Sequence, residues 1–240
     1  EMFHHIAETN WDYAEPGALF WDRVKEWNLL SRTEGFSYAG VNPCAEEPLP
    51  AGGSCLLGSI NLAEFVTEPF TSSAAFDFDG FKQCVRECVR ALNEVLDEGM
   101  PLHPLEEQRE SVRDWRQIGL GIMGLADMLI KMGLPYGDAE SQELCDRIGF
   151  AMADTAIAAS AVLAKEQGMF PKCNINAVME TPYFEANTSA PTKELVKKYG
   201  LHNSQLLTIA PTGTLSTMLG ISGGIEPVFA NYYVRKTESL

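Results

Sequence analysis

The chain has 240 residues, of which 45% are hydrophobic, and this is enough to bury a core in one large or two ordinary domains. Its net charge of −15 at pH 7 argues against a basic nucleic-acid groove or direct binding to an anionic membrane surface. The six cysteines are dispersed and do not resemble a disulfide framework, so we expect a reducing, cytoplasmic environment. No apolar run in the sequence reaches the length expected of a membrane span.

The first third of the chain predicts one helix and two strands. Residues 3–14 are typical of the end of an amphipathic helix, which Pro16-Gly17 would close. The apolar run 18–21 predicts a short strand, and residues 54–62 predict a buried strand. We see no internal repeat and no domain boundary.

Helices dominate the predictions for the middle of the chain. Their expected ranges are 81–98, 104–113, 138–168 and 192–199, the last ending at Gly200. Cys84 and Cys88 share one face of the first of these helices. No second Cys or His pair with matching spacing completes a four-ligand zinc site, so we favour core packing for both.

Three glycines in the middle of the chain match the letters of a dinucleotide-binding motif. Gly119, Gly121 and Gly124 satisfy GxGxxG, but the residues before them are charged and do not predict the strand that this motif requires. We therefore predict a small-residue helix that packs closely against its neighbours.

One short stretch, 41–49, concentrates groups that can carry chemistry. Asn42, Cys44 and Glu46 alternate along it, and the neighbouring prolines disfavour helix. In an extended segment these three side chains share a face, where they can bind a hydroxyl, act on a C–H bond and move a proton. The alternative is a polar turn whose cysteine is a small buried apolar residue.

A second candidate site lies at 204–217, where an apolar strand is predicted to run into a turn rich in hydroxyl groups. Such a strand–turn–helix can bind a phosphate through free amides and hydroxyls. The lysine of a nucleotide-hydrolysing P-loop is absent. A hydroxyl-rich helix cap that binds nothing is the alternative.

Taken together, these segments resemble the catalytic large chain of ribonucleotide reductase. The resemblance is carried by several ordered runs, namely Asn42-Pro43-Cys44-Ala45-Glu46, 53–62, 116–127, Ala210-Pro211-Thr212-Gly213-Thr214 and Gly224-Ile225-Glu226-Pro227. It extends over nearly all 240 residues. The fold it implies is α/β, part of a ten-stranded barrel whose central finger loop carries a radical cysteine.

The resemblance also implies a role for each candidate residue. Cys44 would be the thiyl radical that takes the 3′ hydrogen of the ribose, Glu46 the base on the 3′ hydroxyl, and Asn42 a hydrogen-bond partner of the sugar. Cys55 would be one of the two thiols that reduce the 2′ position. The expected substrate-binding residues are Pro43, Ala45, Pro211, Thr212, Gly213, Thr214, Leu215 and Ser216, and no metal ligand is expected in this chain.

The resemblance places other parts of such an enzyme outside residues 1–240. We expect the chain to be the C-terminal portion of the barrel domain, without the first half of the barrel, the second reducing cysteine or the C-terminal tail. Tyr232-Tyr233 come too soon after Pro227 to be the tyrosine pair that relays a radical in the di-metal enzymes. The chain alone is therefore expected to be inactive.

Cofactor and partners follow from the same resemblance. The Asn-Pro-Cys motif and the Ala-Pro-Thr-Gly-Thr loop look most like the adenosylcobalamin-dependent class. A radical from a di-metal small subunit is the alternative. The expected partners are a ribonucleoside di- or triphosphate, a thioredoxin-type reductant, nucleotide effectors bound outside this chain, and a second copy in a homodimer. Two competing hypotheses are an inactive phosphate-binding or assembly module and a glycyl-radical enzyme.

Overall fold

A computed structural model describes residues 1–232 and residue 234. It contains ten α-helices over this part of the chain, and two short 3-10 helices at Leu62–Phe65 and Met100–Leu102. The α-helices are α1 (Met2–Tyr13), α2 (Trp21–Glu26), α3 (Phe78–Gly99), α4 (Glu106–Trp115), α5 (Leu125–Met132), α6 (Ala139–Gln167), α7 (Ile175–Met179), α8 (Pro182–Asn187), α9 (Ala190–Tyr199) and α10 (Gly213–Leu219).

Six short strands form three two-stranded sheets in the described residues. They are β1 (Gly40–Val41), β2 (Pro48–Leu49), β3 (Leu57–Asn61), β4 (Val66–Thr67), β5 (Ala75–Phe76) and β6 (Gly119–Met123). β1–β2 and β4–β5 are antiparallel, whereas β3 and β6 are parallel, with α3 and α4 in the connection between them. The fold is thus mixed α/β, as predicted, and a closed ten-stranded barrel is not formed by the strands described.

β6 is the centre of the parallel layer. On one side it pairs with β3, from Leu57 opposite Gly119 to Asn61 opposite Met123. On its other side the extended segment 205–208 forms a parallel bridge between Leu207 and Leu120, and the Leu120 amide donates to the Leu206 carbonyl at 2.8 Å. β6 is therefore bonded along both edges and is buried throughout.

The predicted helix at the glycines is wrong, because this segment is β6. Gly119 and Gly121 are needed by the close approach of the neighbouring backbone. A Cβ on Gly119 would lie 2.6 Å from Cγ2 of Thr208, and one on Gly121 would overlap the Thr208 carbonyl oxygen. The same small residues that suggested helix packing instead let two extended segments pack together.

The helices of the middle region confirm the predictions. α3 begins at its N-cap Asp77, whose carboxylate accepts from the Gly80 amide at 3.0 Å. α6 begins after Asp138, which accepts from the Ser141 amide at 2.7 Å, and it ends at Gly168. The limits of α6 agree with the prediction to within one residue because Asp138 and Gly168 are its caps. α3 begins at residue 78, three residues before its predicted start, because Asp77 is its N-cap.

α6 is the central helix of the core and contacts both α3 and α9. Contrary to expectation, it is long and apolar enough to cross a membrane by length and composition. However, 61% of its most apolar window is buried inside the structure, as in the core helix of a globular domain.

Two other local predictions need correction. The expected strand at 18–21 is absent, because Trp21 opens α2 and the residues just before it are exposed rather than paired. The region 169–190, expected to be mostly loop, contains the short helices α7 and α8. Caps from Asn174 and Thr181 begin these helices.

A buried polar network joins the helical core to the parallel layer. Asn203 donates to the carbonyl of Arg116 at 2.9 Å and exchanges hydrogen bonds with Asn93 on α3. The guanidinium of Arg116 binds Asp97, at 2.6 Å for the shorter of two contacts. Ser160 on α6 donates to Asn203 at 3.1 Å. These bonds fix the chain just before β6 and just before segment 205–208.

The crowding at β6 leads to a stability prediction. Gly121→Ala should lower the free energy of unfolding by about 1–3 kcal/mol, because its methyl group meets the Thr208 backbone. Gly149→Ala on α6 is the matched control, since its Cβ meets nothing within 4 Å and alanine favours helix by roughly 1 kcal/mol. Urea unfolding of both variants measures the difference. Equal stabilities would contradict the proposed close approach.

Candidate functional site

Asn42, Cys44 and Glu46 lie in a tight turn between β1 and β2, not in the predicted extended segment. The amide of Ala45 donates to the carbonyl of Asn42 at 2.9 Å, and Ala45 itself has a positive φ of 65°. A left-handed residue at this position reverses the chain, so the alternation of side chains expected for a strand does not hold.

Asn42 is the residue that holds the turn closed. Its side-chain Oδ1 accepts from the amide of Glu47 at 3.0 Å, and its own amide donates to the Glu47 carbonyl at 3.3 Å. Its Nδ2 amide makes no hydrogen bond within the described part of the chain, and it is therefore the group of Asn42 that can donate to a ligand.

The turn presents its cysteine and buries its carboxylates. Pro43, Cys44 and Ala45 are exposed, Glu46 is half-buried and Glu47 is fully buried. Neither oxygen of Glu47 has a hydrogen-bond partner of good geometry among the described residues. The tip of the turn thus carries an exposed thiol, and the two acidic side chains that follow it are less exposed.

Thr208 connects this turn to the parallel layer. Its hydroxyl donates to the carbonyl of Glu46 at 2.6 Å, while its amide donates to Leu120 of β6 at 3.1 Å. Sequence reasoning missed this contact, since no local pattern links residue 208 to residue 46.

Cys55 lies just before β3, where the Gly119 amide of β6 donates to the carbonyl of Leu56 at 2.8 Å. Although the residue as a whole is exposed, desolvation of its thiol is the largest cause that raises the pKa of Cys55 to about 12. The hydrogen-bonding interaction with Glu47 adds to this, followed by the charges of Glu47, Glu46 and Cys44. The structure therefore brings Cys55, Cys44 and both carboxylates into one cluster.

The second candidate site is the start of α10. Thr212 has a left-handed φ of 51°, and its hydroxyl accepts from the Gly224 amide at 2.9 Å. Thr212 and Ser216 are buried and help to shape the loop, whereas Gly213, Thr214 and Leu215 are exposed. Of the three predicted hydroxyls, only that of Thr214 faces outward freely. The expected strand before the loop is an extended segment with a single bridge to β6.

An acidic residue that sequence reasoning missed supports the far side of this loop. Asp127, in the first turn of α5, accepts from the amide of Ser222 at 2.7 Å, and the Ser222 carbonyl accepts from Gly124 at 2.9 Å. Tyr136 donates to the carbonyl of Ile225. β6 leads directly into α5. β6 is bonded to Thr208, which contacts the β1–β2 turn, and α5 carries Asp127, which supports the loop at the start of α10.

A largely apolar cavity of about 360 Å³ lies beside the turn. Glu46 and Pro48 form one wall, and Trp27, Tyr38 and Tyr183 contribute aromatic surface. Burial raises the pKa of both tyrosines above the ordinary value.

The cysteine pair on α3 is a packing feature, as predicted. The sulfurs of Cys84 and Cys88 lie 3.9 Å apart and pack against the hydrophobic core. Tyr232, which the sequence position argued against as part of a radical-relay pair, is exposed. Tyr233 lies outside the described residues.

Comparison with known proteins defines the class of protein to which this fold and turn belong. Residues 1–239 match the family described as "Ribonucleotide reductase, barrel domain". The chain therefore belongs to the ribonucleotide reductase family and represents part of the barrel domain of its large subunit.

Curated relatives carry this match at moderate identity. The chain is 36% identical over 235 residues to the "Vitamin B12-dependent ribonucleoside-diphosphate reductase" of Thermoplasma acidophilum, covering 98% of this chain and 28% of that protein. It is 34% identical over 238 residues to the protein of the same description from Mycobacterium tuberculosis (strain H37Rv), covering 98% and 30%. The chain thus spans less than a third of these relatives.

A solved structure supports the fold. The "Actinobacillus ureae class Id ribonucleotide reductase alpha subunit" matches with a TM-score of 0.74 and 21% identity, over 97% of this chain and 40% of that one.

The contact between Thr208 and Glu46 yields a prediction about the turn. Thr208→Val keeps the side-chain shape but removes the hydroxyl, so the turn should lose about 1 kcal/mol of stabilisation. The backbone amides of residue 42 and residues 44–47 should then exchange hydrogen faster, as measured by mass spectrometry. Thr208→Ser keeps the hydroxyl and should behave like the unsubstituted chain. Identical exchange in the Val and Ser variants would refute this role.

Proposed function

We propose that the full-length protein containing this chain reduces ribonucleotides to 2′-deoxyribonucleotides by a thiyl-radical mechanism. The observation that carries the proposal is the cluster at the β1–β2 turn. There an exposed thiol, Cys44, stands two residues before Glu46 along the chain and close enough to Cys55 to affect its pKa. Radical abstraction, proton transfer and thiol reduction need these three groups together.

In this mechanism the β1–β2 turn is the finger loop, and its geometry suits the assigned roles. Cys44, as a thiyl radical, takes the hydrogen from C3′ of the ribose, and its exposure lets both substrate and radical source reach it. Glu46 accepts the 3′-hydroxyl proton, which favours loss of the 2′-hydroxyl as water. The free Nδ2 amide of Asn42 donates a hydrogen bond to the sugar.

Cys55 then supplies reducing equivalents together with a second thiol from outside residues 1–240. Two thiols become a disulfide, and the two electrons reduce the 2′ position. A thioredoxin-type dithiol restores the pair by thiol–disulfide exchange.

Substrate binding is assigned to the backbone around the two loops. Pro43 and Ala45 flank the radical cysteine and face the sugar. The residues from Pro211 to Ser216 take the phosphates, and the first-turn amides of α10, at 213–215, supply donors that the helix itself leaves unused. The nucleotide is a ribonucleoside di- or triphosphate.

Adenosylcobalamin is the proposed radical source, supported by the names of the two relatives above. When bound, it supplies a carbon-centred radical able to take the Cys44 hydrogen. The exposed tip of the turn fits such an external source and equally fits a radical delivered by a di-metal small subunit. The protein is further proposed to be a cytoplasmic homodimer, with effectors bound outside this chain.

The first test of the function concerns Cys44 in the full-length protein. With an effector and a dithiol present, we expect tritium at the 5′ position of adenosylcobalamin to exchange into water, and Cys44→Ser to abolish that exchange. Cys145→Ser, a half-buried thiol on α6, is the matched control and should exchange normally. Exchange that persists in Cys44→Ser would exclude a thiyl radical at this position.

A second test separates the radical step from the reducing step. Cys55→Ser should keep tritium exchange, because Cys44 and Glu46 are intact, but should lose multiple turnover with a dithiol. Deoxynucleotide yield per enzyme, measured by chromatography, reports the loss. If Cys55→Ser turned over repeatedly at the unsubstituted rate, Cys55 would not belong to the reducing pair.

A further inference from the structure

Glu47 is a buried carboxyl for which the mechanism above gives no role. It is 0% exposed, and both of its oxygens lack a hydrogen-bond partner of good geometry among the described residues. Burying such a group without partners is costly, so its position calls for an explanation.

The parallel layer makes room for this carboxyl next to Cys55. A Cβ placed on Gly119 would lie 3.3 Å from Oε1 of Glu47, so the missing side chain of Gly119 leaves the space that the carboxyl occupies. The Gly119 amide is bonded to Leu56, the residue after Cys55. The carboxyl therefore sits over the strand start that carries the Cys55 thiol.

We propose that Glu47 is the proton-transfer partner of Cys55. As a carboxylate it holds Cys55 as a neutral thiol in the reduced protein, and as a carboxylic acid it protonates the Cys55 thiolate when the disulfide is reduced. This inference rests on the proposed function of Cys55 as one of the reducing pair.

The electrostatics of the pair agree with this role. Desolvation by burial raises the pKa of Glu47, and the interaction with the Cys55 thiol partly offsets this rise. Oxidation of Cys55 removes that thiol proton, so the carboxyl is then a weaker acid and takes up a proton. The other titratable groups near Cys55 are Cys44 and Glu46 on the turn, and His103. Cys55 and His103 both line a small cavity of about 160 Å³.

The exchange step balances as follows. A thiolate of an external dithiol attacks the sulfur of the second cysteine, the bond from that sulfur to Cys55 breaks, and Cys55 leaves as a thiolate. The Glu47 acid gives its proton to this thiolate and becomes a carboxylate. The other thiol of the dithiol then attacks the mixed disulfide and gives its proton to the second cysteine, which leaves as a thiol, so the dithiol ends as a disulfide. Each disulfide reduced consumes one dithiol and releases one proton to solvent, the equivalent of the proton lost by Glu47. Glu47 takes a proton up again when Cys55 is next oxidised.

The test compares Glu47→Gln with Glu34→Gln in the full-length protein. Glutamine keeps the shape and an acceptor oxygen but cannot exchange a proton, and Glu34 is exposed. The Glu47→Gln protein should still fold. The pKa of Glu47 is raised in the folded state, so its carboxyl contributes fully to stability only when it is protonated, below its ordinary pKa of 4.5. Its contribution is lost as pH rises through the folded pKa, so an uncharged side chain is tolerated at neutral pH.

The first readout is alkylation of Cys55 in the reduced protein by iodoacetamide across pH, followed by peptide mass spectrometry. In Glu47→Gln the midpoint of the Cys55 profile should fall by about one pH unit. The rate at pH 9 should rise roughly threefold, since the gain in thiolate is partly offset by its lower nucleophilicity. Cys145 in the same digest should not change.

The second readout is the return of the Cys55 thiol when dithiothreitol is added to protein oxidised with diamide. For the unsubstituted protein, we divide the rate of Cys55 thiol return by the concentration of dithiothreitol thiolate. This normalised rate should fall as pH rises through the pKa of the Glu47 carboxyl. Glu47→Gln should be at least about tenfold slower at low pH and should lack this fall. If either readout for Glu47→Gln matches that for Glu34→Gln, the proposal is overturned. A failed function would show separately, as no deoxynucleotide from the unsubstituted protein.

Discussion

The close backbone approach between β6 and segment 205–209 is the constraint on which both candidate sites depend. Only residues without a Cβ fit at 119 and 121, because Thr208 occupies the space that a side chain would need. Through the same Thr208, the turn with Cys44 is bonded to the layer. Three residues after Thr208 the proposed phosphate loop begins, so one contact sets the position of both loops.

The polar network beneath this layer explains how the approach is held in register. Asn203 bonds to Asn93, Arg116 and Ser160, which come from three separate parts of the chain. Because these groups are buried, breaking one bond would leave its partners unsatisfied at a cost of about 1–3 kcal/mol. Segment 205–208 therefore leaves the helical core at a fixed point and meets β6 in one register.

The sequence was most informative where local signals decide the structure. The limits of α3 and α6 follow from Asp77, Asp138 and Gly168, each of which acts within its own turn of helix. The strand at Gly119 and Gly121 could not be predicted, since its cause is a neighbour almost 90 residues away in the chain. At Trp21 the sequence lacks a local start signal, because the N-cap of α2 is Phe20, which makes no side-chain capping hydrogen bond.

The candidate site likewise combines features that could be predicted from the sequence with features that could not. The residue types at 42, 44, 46 and 55 led to the proposed chemistry, and the family match supports the class of protein. The conformation of the turn was not predictable, because it depends on the left-handed Ala45 and on Asn42 bonding to Glu47. Glu47 itself drew no attention in the sequence, where it is one of 33 acidic residues.

Glu47 differs from an ordinary surface carboxyl because its side chain is fully buried. Asn42 binds the backbone amide of Glu47, and this bond directs the following side chain inward, toward Gly119, while Cys44 remains at the tip. A turn that exposes the Cys44 thiol thereby places the Glu47 carboxyl close enough to Cys55 to affect the pKa of that thiol. Since desolvation makes both the carboxyl and the Cys55 thiol weaker acids, their proton affinities are raised together. The turn that leaves Cys44 exposed thus also contributes to the raised pKa of Cys55, which favours the protonated form of that thiol.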